Sequence, residues 1–195
     1  MQESRSPHPG GWTIRRAELV DVPAVARLLG APTAAEWRNG TGLSDQTLTS
    51  ATRLVLTHVA LDLGQFWVAV EPGDHVRAAV VLLPPGREGS HIMDVALRLE
   101  LGLLPDNLPV PVTLTDVPDQ HWLLLPAGAP GDEQILRELI GAALPAIDAD
   151  GRPVLSLQTG PASRVLSEVG FRALPAPVHT GSASLRPGLR RPVGV

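Results

Sequence analysis

The stretch Trp122-Leu-Leu-Leu-Pro-Ala-Gly-Ala-Pro-Gly131, then Asp132-Glu-Gln-Ile-Leu-Arg-Glu-Leu139, then Gly151-Arg-Pro-Val-Leu-Ser-Leu-Gln-Thr159, decides the architecture. Trp122–Leu125 is a short apolar run bounded by turn residues, which predicts a strand. Ala127–Asp132 is rich in Gly and Pro and predicts a loop. Glu133–Ile147 places Ile135, Leu139, Ile140 and Leu144 at helical spacing. Asp148–Pro153 turns the chain into Val154–Gln158, a buried strand. Strand, helix and strand in that order belong to a mixed α/β domain.

Outward from this core, Ala162–Val169 predicts a short helix ended by Gly170, followed by strands at Phe171–Leu174 and Ser182–Leu185. On the other side, Pro105–Pro118 is Pro-rich and predicts a loop, and His91–Leu104 predicts a helix. Phe66–Val70 and Val76–Leu83 flank Glu71-Pro-Gly-Asp74, the signature of a hairpin. Ser44 opens a helix that Gly64 stops, with Leu48, Ala51, Val55 and Val59 along one face. Residues Ala31–Leu43 predict a loop, or a short helix around Ala34–Arg38. Asp21 and Pro23 predict the N-cap and first turn of a helix that Gly30 closes. Trp12–Ala17 is a first strand, and Met1–Gly11 a disordered leader ahead of one domain over residues 12–195.

Composition narrows the chemistry. The 195 residues include no Cys, no Tyr and no Lys, so all 16 basic residues are Arg. A disulfide framework, a thiolate metal site, a Cys nucleophile, a Schiff-base lysine and a Tyr general acid are thereby excluded. The net charge of −4 and pI near 5.8 argue against a nucleic-acid partner. No apolar stretch approaches a membrane span and the N-terminus has no signal core, which predicts a soluble, cytoplasmic chain. No His, Asp or Glu group has metal-ligand spacing, and no nucleophile elbow or P-loop is present.

The element order resembles the GNAT acetyltransferase fold. Trp122–Gly131, the following helix, Gly151–Thr159, a short helix and Val169-Gly-Phe171 match its C-terminal half in order. Ile14-Arg-Arg-Ala17, Asp21-Val-Pro23 and Leu56-Thr-His-Val-Ala-Leu-Asp-Leu-Gly-Gln-Phe-Trp-Val-Ala69 look like the puromycin N-acetyltransferase branch, as does Ser184-Leu-Arg-Pro-Gly188. The resemblance runs from Trp12 onward and is carried by the order and spacing of short motifs. It implies a single α/β (α+β) domain: a mixed, mostly antiparallel sheet of six to seven strands, splayed between the fourth and fifth, with about four helices. It further implies acetyl transfer from acetyl-CoA to a small-molecule amine, by a monomer or homodimer.

In this family the loop and helix N-terminus after the fourth strand cradle the cofactor's pyrophosphate through backbone N–H groups. Carried onto this chain, those positions are Ala127, Gly128, Ala129, Gly131, Gln134, Ile135, Leu136 and Arg137. The chain departs from the family pattern here. The motif's glycines fall on Ile135, Arg137 and Leu139, and Asp132 and Glu133 bring negative charge to a phosphate seat. A second departure is Leu166, at the position where many members carry a thiolate-protonating Tyr.

Candidates for chemistry are few. His121, ahead of the central strand, is suited to a general base or to a strand-end surface position. His91 and Asp94, three apart on one expected helix, read as a base and its orienter or as a solvated face. His58 lies on the helix that borders the acceptor site in this fold, and Gln65 follows that helix's end; packing and solvation are their plain readings. Gln158 replaces the Glu of puromycin-type relatives, removing a carboxylate but keeping a ligand-orienting amide. Trp37 is the aromatic placed to stack on a ligand. Three functions stay open: a CoA-dependent N-acyltransferase, a CoA-independent enzyme reusing the cleft, and a silent binding or regulatory module.

Overall fold

A computed structural model of the chain describes residues 11–29, 45–62, 65–85, 120–158, 162–175, 178–180 and 183–192. The expected His91–Leu104 helix, the Pro105–Pro118 and Ala31–Leu43 segments and the leader up to Gly10 lie outside them. The strands are β1 (Thr13–Arg16), β2 (Gln65–Glu71), β3 (His75–Leu83), β4 (Trp122–Gly128), β5 (Val154–Gln158), β6 (Arg172–Ala173), β7 (Val178–Thr180) and β8 (Ala183–Arg190). The helices are α1 (22–29), α2 (Asp45–Val55), α3 (Glu133–Asp150) and α4 (Ala162–Glu168). A 3₁₀ turn, Leu19–Asp21, precedes α1, and a π-type turn, Leu56–Ala60, continues α2.

The strands form one path, β1-β2-β3-β4-β5-β8-β6, with β7 added alongside β8. Every pairing is antiparallel except β4 with β5. That parallel pair has three rungs, from Trp122 opposite Val154 to Leu124 opposite Ser156. Beyond Leu124, β4 remains paired to β3 as far as Gly128, while β5 remains paired only to β8 as far as Gln158. The sheet therefore splays between its fourth and fifth strands.

Both faces of the sheet are covered, so the central strands are apolar at consecutive positions rather than alternating ones. On one face Ala78, Val80, Leu82, Leu124 and Val154 pack under Leu136, Leu139, Ile140 and Ile147 of α3 and Val165 and Leu166 of α4. On the other, Val68, Ala79, Val81 and Leu83 pack against Val22, Val25 and Ala26 of α1 and against Leu56 and Ala60. Gly128 lets α3 come down directly on the end of β4. A Cβ there would lie 3.3 Å from the Leu136 side chain and 3.5 Å from that of Ala78.

Several elements differ from the sequence reading, for local physical reasons. β4 runs three residues past Leu125, through Pro126, because the missing Pro126 N–H removes no bond to β3. The last strand extends from Ala183 through Pro187 to Arg190, and Pro187 still accepts a bond from Leu174 N–H at 2.8 Å. α3 passes through an exposed Pro145 and ends where Gly151 adopts a left-handed φ of 73°. Asp21 is not a simple N-cap: it is buried, accepts from Glu18 N–H at 2.8 Å and is held by both Arg15 nitrogens at 2.7 and 2.9 Å. No described helix is long and apolar enough to cross a membrane.

At the closed end of the sheet one side chain joins three elements. Arg190 of β8, 6% exposed, donates through Nη2 to Asp148 Oδ2 at 2.8 Å and through Nε to the Val169 carbonyl at 3.2 Å. Its Nη1 completes the fork on Asp148 Oδ1, so the ends of α3 and α4 are both fixed to β8. Replacing Arg190 with Ala leaves a half-buried carboxylate without its fork. We expect a loss of about 3 kcal/mol in unfolding free energy by urea titration. A loss below about 0.5 kcal/mol would assign the pair the weight of an ordinary surface contact.

Candidate functional site

The splay determines which backbone groups of β4 face the cleft. Trp122 N–H donates to the Pro153 carbonyl at 2.9 Å, so even-numbered residues of β4 point their backbone groups toward β5. The β3–β4 register is unbroken from Leu123 to Gly128, so that parity holds along the strand. Past Leu124 the cleft-facing positions are Pro126 and Gly128. Pro126 has no N–H and contributes a carbonyl only. The cleft edge of β4 is thus richer in acceptors than in donors. On the last shared rung, Ser156 is fully buried and its hydroxyl has no partner among the described residues.

The turn after β4 is closed by its own carboxylates. Asp132 is 3% exposed and bends back so that Oδ2 accepts from Ala129 N–H at 3.1 Å. Its own N–H donates to the Ala129 carbonyl at 3.1 Å, and its carbonyl accepts from Leu136 N–H at 2.9 Å. Gly131 N–H donates to Glu133 Oε1 at 3.4 Å, and Pro130 has no N–H to offer. Gly131 takes the left-handed φ of 99° that this tight path requires.

Arg77 completes the arrangement. In the β2–β3 ladder Ala69 faces Ala78 and Val70 faces Val76, so Arg77 is the extra residue of a β-bulge. A bulge turns a side chain out of the regular alternation. Here it directs the guanidinium onto Asp132 Oδ1 at 2.8 Å and onto Glu71 Oε1. The bond to Asp132, followed by the charges of Asp132 and Glu71, holds the Arg77 pKa above its already high ordinary value.

The residues singled out from sequence are spread along this frame. His121, half-buried, stands just before β4 at the closed end of the strand pair. The turn at Ala129–Asp132 stands at the other end, about 20 Å away at ~3.3 Å per residue. Gln65 opens β2 and accepts from Arg16 at 3.2 Å, while the Arg16 guanidinium lies 4.2 Å from the centre of the Trp67 ring. His58 is exposed in the turn that ends α2. Gln158 ends β5 opposite Arg186 of β8. Trp37, His91 and Asp94 lie outside the described residues.

Among the expected phosphate-loop positions, Ala127, Ile135 and Leu136 are buried in the two cores. Gly128 and Ala129 end β4 and begin the turn. Gln134 is exposed and donates to Glu138 at 3.2 Å, and Glu138 accepts from Trp12 Nε1 at 3.0 Å. Arg137 reaches α4 and donates through Nε to Glu168 at 2.9 Å, with Arg164 on the same carboxylate at 3.2 Å. Sequence reasoning missed Arg77 and Pro126. Their signals were a charge interrupting the Val76–Leu83 run and a proline inside Trp122–Gly128. A separate hollow of about 250 Å³ lies at the β1 end, bordered by Arg15, Glu18, Asp21 and Asp74. There the hydrogen bond to Asp21 raises the Arg15 pKa.

Solved structures give the architecture its name. A structure described as histone acetyltransferase and related acetyltransferase from Corynebacterium glutamicum superimposes with TM-score 0.68 at 14% identity, over 95% of this chain and 98% of its own. The fold is that of the GNAT acetyltransferases. A GNAT-family acetyltransferase from Staphylococcus aureus gives TM-score 0.57 at 11% identity, over 92% of this chain and 98% of its own. An N-acetyltransferase from the same organism gives 0.60 at 14% identity, over 90% and 98%. No family model matches the sequence, and no curated protein matches it either.

A GNAT fold implies acetyl-CoA, and the described turn can be tested against that cofactor's diphosphate. Of the N–H groups at residues 129–132, Ala129 and Gly131 donate to carboxylates, Asp132 donates to a carbonyl, and proline occupies position 130. Glu133 adds like charge at the turn, while that of Asp132 is balanced by Arg77. Among the described residues, the turn at 129–132 thus offers a diphosphate no free N–H of its own.

Arg137 is instead committed to Glu168. Its hydrogen bond, with a smaller contribution from Arg164, holds the Glu168 carboxyl below the ordinary glutamate range. A carboxyl lowered in the folded state stabilises the fold above its unfolded pKa, and that contribution disappears as pH falls through the folded value. NMR titration should find the Glu168 midpoint below that of an unperturbed glutamate. Arg137→Ala should move it upward, and an unchanged midpoint would contradict the assignment.

Proposed function

We propose that this chain is an acyltransferase-like protein that binds a small-molecule amine in the opening between β4 and β5. The observation that carries this reading is the edge of β4 beyond Leu124, which no described strand pairs and where Pro126 presents an acceptor and no donor. An amine or ammonium group supplies the donors that such an edge lacks. The acetyltransferase names of the structural neighbours support acyl transfer as the reaction class.

In that transfer the amine nitrogen bonds to the acyl carbon as the bond from that carbon to its leaving group breaks. The proton lost by the amine ends on the leaving group or on water. Leu166, on α4, is fully buried in the core, so that position supplies no acid. The reading does not depend on acetyl-CoA, the donor the fold implies, because the N–H groups of the turn at 129–132 are already taken within it. The acting species is taken to be a monomer or homodimer in the cytoplasm, without nucleic-acid or membrane partners.

The test incubates the full chain with a panel of primary amines and either acetyl-CoA or S-acetylpantetheine, with products read by mass spectrometry. An N-acetylated amine is expected with at least one donor. The thermal midpoint of Ser156→Ala should stay level or rise, since a buried hydroxyl without a partner among the described residues is removed. No product with either donor, together with no thermal shift from any amine, would overturn the reading.

A further inference from the structure

The closed turn after β4 carries a consequence for the kind of donor the cleft accepts. Asp132 is almost fully buried, yet it is an anion, and a buried anion needs compensation. It receives that compensation from Ala129 N–H and from the Arg77 guanidinium, two donors on separate elements, one of them placed by a bulge. Backbone N–H groups in a tight turn plus a guanidinium are the donor set that proteins use for phosphate oxygens. Here both donors point at a side-chain carboxylate of the same chain.

We propose that Asp132 is a built-in anion that fills this donor set, making the cleft selective for acyl donors without a nucleotide diphosphate. The donor class rests on the acyltransferase reading above, whereas the filled anion seat stands independently of it. Glu133 reinforces the exclusion by taking Gly131 N–H, and Glu71 shares Arg77 with Asp132, so the guanidinium is already held by two carboxylates. A donor with a neutral arm meets no such repulsion. Asp132 is therefore a specificity-determining residue: it touches no reacting atom, and acts by occupying the groups a charged donor would need.

Calorimetry on the full chain tests this with three probes: acetyl-CoA, S-acetylpantetheine and inorganic pyrophosphate. The wild-type chain should bind acetyl-CoA no more tightly than S-acetylpantetheine. Asp132→Ala should bind pyrophosphate about ten-fold more tightly than wild type, with the gain shrinking at high salt. Asp132→Asn keeps the shape and removes the charge, and should gain about three-fold. Wild-type preference for acetyl-CoA by about ten-fold or more would overturn the proposal, as would unchanged pyrophosphate binding in a variant that circular dichroism shows to be folded. If neither variant folds, the wild-type comparison decides alone. Failure of the acyltransfer reading shows differently, as absence of N-acetylated product with every donor, and leaves the pyrophosphate result intact.

Discussion

Backbone groups leaving a sheet must find new partners, and among the described residues β4 parts from β5 beyond Leu124 without taking another strand on that edge. β4 and β5 pair for three rungs and then part, while each keeps its other neighbour. Each strand keeps a different sheet neighbour, and α3 spans both. β4 is fixed to β3 and roofed by α3 through the close contact of Leu136 with Gly128. β5 is fixed to β8, and Arg190 ties β8 to the ends of α3 and α4. Both the cleft and the turn beside it are products of that division.

The two edges so exposed are not equivalent to an ordinary strand edge. An unpaired edge normally offers donors and acceptors alternately and invites another strand. Pro126 breaks that alternation at the cleft-facing position, which lowers the tendency to pair with a foreign strand and biases the site toward donor-rich ligands. At the mouth of the cleft the same logic recurs with charge: the turn's N–H groups meet side-chain carboxylates, and the bulge at Arg77 supplies the balancing cation.

The fold was legible because its strongest signals are local. The apolar run of β4, the periodicity of α3 and the Val154–Gln158 strand each declare themselves in sequence, and their order names the architecture. Element ends were less legible. Pro126 and Pro187 look like breaks, and only the pairing shows that one faces the cleft and the other keeps a carbonyl bond to Leu174. Along the candidate site, sequence could register that Asp132 and Glu133 stand where a phosphate-binding turn is expected. It could not show that Asp132 turns inward, because its partner Arg77 is 55 residues away and is aimed by a one-residue register shift. Arg137 illustrates the opposite case: it sits near the expected seat, yet its guanidinium is drawn across to Glu168 on α4.

The Asp132 side chain also gives the amide of Ala129 an unusual protector. Most slowly exchanging amides are guarded by backbone carbonyls and open only when a strand or helix opens. Ala129 N–H is guarded by a carboxylate on a turn, so rotation of one side chain exposes it while β4 and α3 stay intact. Its hydrogen exchange then reports the opening of a single ion pair, on a timescale separate from unfolding of the sheet. The chain thereby contains its own local clock for how often the mouth of the cleft is unsealed.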